Sequence, residues 1–255
     1  MRKTLREVFA DLSYGHLSNL VIGSEGNGLI DDKHHGRIIS LLNQGLDDLH
    51  GRFLLRERSL LLRAITGKTS YLLRREHAFT HPGDGGGINA WIVDSQDQPF
   101  TGDVLKVLNV TDEIGAPVTV NTTKSVRAPG VFQVSVEKEG PGLFTVDAET
   151  VEIPQPKTGD FYHVNYQARH PKLVNVDGDV EVLAQTITLP SVTYAALSAY
   201  VASQIFSGLG GPENSQKGLE LMGLFEAACQ QFVFNGTVKT SNSHDHSKLE
   251  ERGFV

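Results

Sequence analysis

The chain has too few cysteines to be stapled. Its 255 residues include one, Cys229, so no internal disulfide and no thiolate zinc site can form. Long apolar runs are missing as well. None reaches about 18 residues, which excludes a membrane-spanning helix. Basic charge is in deficit: 23 Lys and Arg against 30 Asp and Glu leave a net −7. That balance argues against a protein that coats nucleic acid through a basic surface. The basic opening Met1-Arg2-Lys3 leads into Thr4-Leu5-Arg6-Glu7 without an apolar core, so it does not read as a secretory signal. No internal repeat is visible. What is present is length and glycine. A chain this long buries roughly 70–75% of its unfolded surface and needs no staples. It forms one large domain or two small ones. Its 26 glycines exceed the usual share of about 7%, which points to loops and close contacts. The expectation is a soluble, mildly acidic chain of a reducing compartment.

Helical period marks both ends. Thr4 and Glu7 have capping-box spacing, and Leu5, Val8, Phe9 and Leu12 follow on one helix face until Tyr14-Gly15. Gly23, Gly26, Asn27 and Gly28 are loop chemistry. A second helix is predicted from Asp31-Asp32, with Ile38, Leu42, Leu46, Leu49 and Phe53 on one stripe. Gly45 in its middle predicts close approach of another helix. After Pro190, Val192, Ala195, Ala196, Ala199, Ala202, Ile205 and Phe206 form a narrow apolar stripe, with Gly208 suited to the cap. Pro212 then opens a last helix, whose face is read as Leu221, Leu224, Phe225, Ala228 and Phe232, closed by Gly236.

The middle reads as strands. Arg58–Ile65 and Thr69–Arg74 flank Thr66-Gly67-Lys68, a hairpin signal. Further runs are Ala90–Val93, Val104–Val110, Val118–Val120, Val131–Val136, Leu143–Val146 and Phe161–Ala168. Their spacing suits a β-sandwich or small barrel. Alternating βα units are absent, so a doubly wound sheet is not expected. Residues 64–190 carry −6, against +1 for 1–63 and −2 for 191–255. The predicted fold is α+β. A helical bundle is formed by residues 1–57 and 187–234. An antiparallel β-sandwich or barrel-like subdomain, 58–186, is inserted in it, and 235–255 is an extended C-terminal arm.

Candidate catalytic, metal and cofactor signals are each weak. Gly23-Ser24-Glu25-Gly26-Asn27-Gly28 has no preceding strand and no Gly-Lys-Ser/Thr step, so it lacks a phosphate cradle. The Gly83–Gly87 run reads as a loop. His34 and His35 diverge by about 100° on a helix and cannot easily share an ion. His77 and His81 bracket a loop entry, and His244 and His246 flank Asp245 in the polar tail without a fourth ligand. Cys229 beside Ala228 reads as a small buried hydrophobe. Asp31-Asp32, Asp47-Asp48 and Asp112-Glu113 are adjacent pairs, as on solvated helices and turns. No Gly-x-Ser-x-Gly elbow occurs. The expectation is a protein that is not an enzyme, with no catalytic residue, cofactor or metal.

Four stretches carry a resemblance. They are Leu12-Ser13-Tyr14-Gly15-His16-Leu17-Ser18-Asn19-Leu20, Ile39 to Phe53 with Asn43-Gln44-Gly45-Leu46-Asp47-Asp48-Leu49-His50-Gly51-Arg52 at its heart, Phe161-Tyr162-His163-Val164-Asn165-Tyr166-Gln167-Ala168-Arg169-His170-Pro171, and Lys248-Leu249-Glu250-Glu251-Arg252-Gly253-Phe254-Val255. With the helix pair from Leu189-Pro190 to Phe232, their order resembles a head-to-tail adaptor (neck, or head-completion) protein of a short-tailed bacteriophage. The last part is similar to the C-terminal half of tail tubular protein A and related adaptors. The extensive β middle departs from the smaller adaptors.

The resemblance implies a structural connector located in the virion neck and made in the host cytoplasm. It implies a homo-oligomeric ring, of twelve copies, between the portal protein and a tail or nozzle protein. Double-stranded DNA would pass its lumen during packaging and ejection without sequence-specific binding, and no membrane is involved. Lys248, Leu249, Arg252, Phe254 and Val255 are the candidate partner contacts, on an arm that folds upon a neighbour. Acidity in a conduit would repel passing phosphate. The alternatives are another β-rich tail or receptor-binding protein, or a metal-dependent hydrolase using the scattered histidines.

Overall fold

The first helix begins where the capping box places it. In the computed structural model, the Thr4 hydroxyl accepts the Glu7 amide at 3.3 Å and the Glu7 carboxylate accepts the Thr4 amide at 2.7 Å. Helix α1 (Leu5–Tyr14) follows and buries Leu5, Val8, Phe9 and Leu12. The structure describes residues 1–18, 20, 30–80, 89–95, 99–118, 120, 143–175 and 180–241. Among these it is a mixed α/β fold with four helices and three sheets.

The chain divides into two units, residues 1–55 with 170–255, and residues 56–169. The first is the helical unit. Helix α2 (Asp32–Arg52) buries Ile38, Ile39, Leu42, Leu46 and Leu49. Helix α3 (Thr193–Leu209) packs against α1, α2 and α4 (Pro212–Phe234). Glycine sets two of these approaches. A Cβ on Gly45 would lie 2.7 Å from Leu197 Cδ1 and 2.8 Å from Tyr200 Cδ1, on α3. One on Gly218 would lie 3.1 Å from the Ser203 carbonyl oxygen. Neither site has room for a side chain, so α3 touches backbone on both sides.

Non-local backbone pairing ties the ends of this unit together. Strand β1 (Arg2–Thr4) pairs antiparallel with β11 (Thr186–Thr188) in the register Arg2↔Thr188. The Met1 ammonium donates to the Leu189 carbonyl at 2.9 Å. After α4, Val238 joins the helical core, and the Leu54 amide donates to the Lys239 carbonyl at 2.8 Å. Residues up to 241 thus run beside the end of α2, where the sequence reading begins an arm at 235. The rest of that arm, with Lys248, Leu249, Arg252, Phe254 and Val255, lies outside the described residues, as does the predicted strand at 131–136.

The second unit holds β2 (Glu57–Arg63), β3 (Ser70–Leu72), β4 (Ala78–Phe79), β5 (Ile92–Val93), β6 (Val104–Asp112), β7 (Pro117–Val118), β8 (Phe144–Asp147), β9 (Thr150–Glu152) and β10 (Phe161–Ala168). One sheet has the order β4-β5-β2-β10-β6-β7, the other β3-β9-β8. Strand β10 is central, and Val164 faces Leu60 on β2 and Val110 on β6. Both sheets contribute to one apolar core, which contains Leu60, Leu62, Val164 and Tyr166 with Tyr71 and Val151.

Several expectations are corrected. The predicted hairpin across Thr66-Gly67-Lys68 does not form. The turn is there, with Gly67 at φ +83° and the Lys68 amide donating to Ile65 at 3.0 Å. Yet β2 pairs with β10 and β5, and β3 pairs with β9, so the turn carries the chain from one sheet to the other. Reciprocal bonds between Thr66 and Thr158, 2.9 Å each, hold it there. The larger sheet is mixed, because β4 and β5 run parallel. No sheet closes into a barrel among the described residues. The β unit ends at Arg169, not at 186, because Leu173, Val182, Ile187 and Leu189 join the core of the helices. The left-handed cap of α3 is Gly210, at φ +72°, while Gly208 stays inside the helix. Val192, just before α3, and Ala195 on it face solvent.

The boundary changes the charge map. Counted by unit, the β unit has 12 basic and 14 acidic residues, net −2, and the helical unit 11 and 16, net −5. The new boundaries take Asp177, Asp179, Glu181 and Lys172 out of the middle count and bring Arg56, Glu57, Arg58 and Arg63 into it, so most of the net acidity is counted with the helical unit.

Candidate functional site

Of the histidines and acidic pairs that drew attention in the sequence, His35, His77, Asp48, Asp112 and Glu113 make contacts within the fold. His35 is buried: its Nε2 lies 2.9 Å from the Ile30 carbonyl oxygen, and its ring lies 5.0 Å from that of Phe9. His77 stacks on Trp91 with centroids 3.7 Å apart, and its Nδ1 lies 2.9 Å from the Asn89 carbonyl oxygen. Asp48 pairs with Arg52 at 3.0 Å. Asp112 accepts the amides of Ile114 and Ala116, and Glu113 accepts that of Phe161 at 3.0 Å. Cys229 is buried on α4, and burial pushes its thiol up to about 11, away from nucleophilic chemistry. No three His, Cys, Asp or Glu side chains among the described residues are grouped to hold a metal. Gly23–Gly28, Gly83–Gly87, His81, His244, Asp245 and His246 lie outside the described residues.

Two surface features remain. The first is a shallow groove of about 230 Å³ in the β unit, lined by Ser59, Leu61, Val93, Asp94, Ser95 and His163 among others. Its carboxylate is already committed. Asp94 accepts the Phe100 amide at 2.6 Å and binds the Arg75 guanidinium, so it anchors the 94–100 loop. Among the described residues, Ser59, Ser95 and His163 around it make no hydrogen bond to one another.

The second is the outer face of α4. The helix buries Gly218, Leu221, Phe225, Cys229 and Phe232. Opposite them, Gln216, Leu219, Gly223, Ala227, Gln230 and Phe234 recur at intervals of three and four and are all exposed. Leu219 is 73% exposed and Phe234 91%, with Leu224 at 56% and Val233 at 54% beside them. Leu224 therefore points outward, contrary to the sequence reading, which put it on the buried face. Isolated exposed leucines need no explanation, but a continuous uncharged stripe on one helix does. Gly223 sharpens the point. A Cβ there would meet nothing within 4 Å. Unlike Gly45 and Gly218, it has no contact within the chain to justify the roughly 1 kcal/mol that glycine costs a helix interior.

Charges border the stripe without entering it. Arg52 on α2 grips Glu226 at 2.7 and 2.9 Å and lies 5.2 Å over the Phe225 ring. The guanidinium holds the Glu226 carboxyl below the usual carboxylate range, and the carboxylate raises the guanidinium in turn. Lys217 pairs with Glu220 at 3.2 Å. The signal for this face was in the sequence, as a second i, i+3, i+4 series on α4. It was hidden because its members are mostly small or polar, so the buried series of Leu221, Phe225 and Phe232 dominates the apolar pattern.

No known family model matches the chain, and no curated protein sequence does. None of its described helices is long and apolar enough to cross a membrane.

Proposed function

We propose that this protein is a structural connector and acts by geometry, with no reaction of its own. In this reading it is the head-to-tail adaptor of a short-tailed phage virion. Twelve copies form a ring between portal and tail, complete the head and leave a channel for DNA. The helical bundle made from both chain ends is its frame, the inserted β-sandwich-like unit and the extended C-terminal arm are its reach, and Lys248, Leu249, Arg252, Phe254 and Val255 are the arm's contacts.

One observation carries the proposal: the uncharged, solvent-facing stripe of α4 from Gln216 to Phe234, with Leu219 and Phe234 exposed. A surface of that composition is suited to another protein. The acid excess of the helical unit, −5, supports the DNA-conduit part of the reading. Carboxylates repel phosphate, so a lumen lined by them would let DNA slide without retaining it.

The test is particle imaging of the purified chain mixed with its portal. A ring with a central hole is the expected result. A species that stays at 27.8 kDa alone and beside the portal defeats the proposal.

A further inference from the structure

We infer that the groove on the larger sheet of the β unit binds one neutral sugar ring, a site that stands apart from the connector reading and does not depend on it.

Register brings the groove's side chains together. Leu61 on β2 lies opposite both Val93 on β5 and His163 on β10, so the three share one face of the sheet. Ser59, two residues before Leu61, is on the same face by strand alternation. Strand β5 ends at Val93, and Ser95, just past it, lines the same opening. Leu61 and Val93 are half-buried and form the floor. Ser59, Ser95 and His163 are exposed and form the rim.

This chemistry selects the ligand. Among the described residues no hydrogen bond uses the side chain of Ser59, Ser95 or His163, so two hydroxyls and an imidazole stand open beside apolar surface. The carboxylate of the groove, Asp94, is held by the Phe100 amide and the Arg75 guanidinium. Arg63, two residues beyond Leu61, is engaged by the Ala90 carbonyl at 2.9 Å and lies 4.7 Å over the Phe79 ring. An ionic ligand thus finds no free counter-charge. A purely apolar ligand would cover the three polar groups without pairing them. A ring with an apolar C–H face and hydroxyls around its edge satisfies both floor and rim, and that is a neutral sugar. An extended peptide also brings neutral hydrogen bonds, but it adds to a sheet through an edge. The edges of this sheet are β4 and β7, and the groove lies inside them, on β5, β2 and β10.

Size limits the ligand to one ring. The groove, about 230 Å³, is smaller than the roughly 300–1,000 Å³ of drug-sized sites. It is shallow and leaves much of the ring in water, so the expected Kd is on the order of 1–10 mM.

Saturation-transfer NMR on the full chain tests this. The probes are glucose, galactose, mannose and N-acetylglucosamine, each at about 20 mM, a few times the expected Kd. At least one should give a saturable signal, while glucuronate and glucosamine, the charged forms of the same ring, should bind more weakly. His163→Ala should weaken binding roughly tenfold, as expected for one lost hydrogen bond. Leu61→Arg, which lays a charged chain across the floor, should abolish it. Both side chains lie on the outer face, so far-UV circular dichroism and Trp91 fluorescence should match the wild type. Methyl glycosides of both anomers separate the two sources of such a ring. Binding that tolerates the methyl group supports the end of a glycan, and binding that rejects it supports a free sugar. No signal from any neutral sugar overturns the inference. So does a signal that both folded variants retain, or equal binding of the charged forms.

Discussion

Arg52 on α2 and Glu226 on α4 are joined by two side-by-side hydrogen bonds, 2.7 and 2.9 Å, across 174 residues of sequence. This fork fixes the register of the two helices at the rim of the α4 face. Both side chains are over a third exposed, so solvent screens the pair. Glu226→Gln is expected to cost about 0.5–1 kcal/mol. The carboxyl is held below its ordinary value of 4.5, so the contribution is present above that pH and lost as pH falls through the lower folded value. Urea melts at pH 7 and pH 3 check this: the gap between wild type and variant should close in acid.

The two helix glycines Gly45 and Gly223 should respond oppositely to one methyl group. Gly45→Ala drives Cβ to within 2.7 Å of the buried Leu197 and is expected to cost about 1–3 kcal/mol, outweighing the propensity gain. Gly223→Ala meets nothing within the chain and should stabilise the monomer by up to about 1 kcal/mol. Denaturant midpoints followed by circular dichroism compare the two directly.

Asp94→Ala should loosen the β unit. It leaves the buried Phe100 amide without its acceptor and frees the Arg75 guanidinium. The expected loss is about 1–3 kcal/mol. Trp91, the protein's single tryptophan, lies in the same unit, so its fluorescence reports that transition.

Tyr166 makes the β unit sensitive to alkali. Burial, with Asp103 nearby, raises its hydroxyl above the ordinary 10.0, and that hydroxyl donates to Asp103 at 3.0 Å. A raised folded value means its contribution is complete below pH 10 and lost as pH rises towards the folded value. Tyr166→Phe should cost about 1 kcal/mol at neutral pH. Its stability should then fall less steeply than the wild type's above pH 10, as fluorescence-monitored melts at pH 8 and 11 would record.

The local parts of this fold were readable before the structure. The Thr4–Glu7 box, the stripe from Ile38 to Phe53, the close approach at Gly45 and the strand Phe161–Ala168 all depend on neighbours within a turn or on period alone. What escaped depends on distant partners. Arg2–Thr4 becomes a strand only because Thr186–Thr188 lies beside it. Glu57–Arg63 declines the nearby Ser70–Leu72 because β10 offers it seven paired residues. The unit boundary at Arg169 followed from packing that Leu173, Val182, Ile187 and Leu189 find with the helices, for which composition holds no mark. The α4 face was half legible: its period was there, but no local signal tells an inward leucine from an outward one.

The pairing of Arg2–Thr4 with Thr186–Thr188 also imposes an order on synthesis. Helices α1 and α2 leave the ribosome before the β unit, yet α3 and α4, which complete their core, leave after it. The β unit is continuous in sequence from 56 to 169, and its described core residues are all synthesised well before then. At about 5–20 residues per second, the wait between Leu55 and Phe234 is on the order of 10–40 s. Through that interval Leu42, Leu46 and Leu49 lack their eventual neighbours and are candidates for chaperone capture. The β unit can therefore mature before the helical unit, and α1 and α2 settle only after the later-made α3 and α4 reach them.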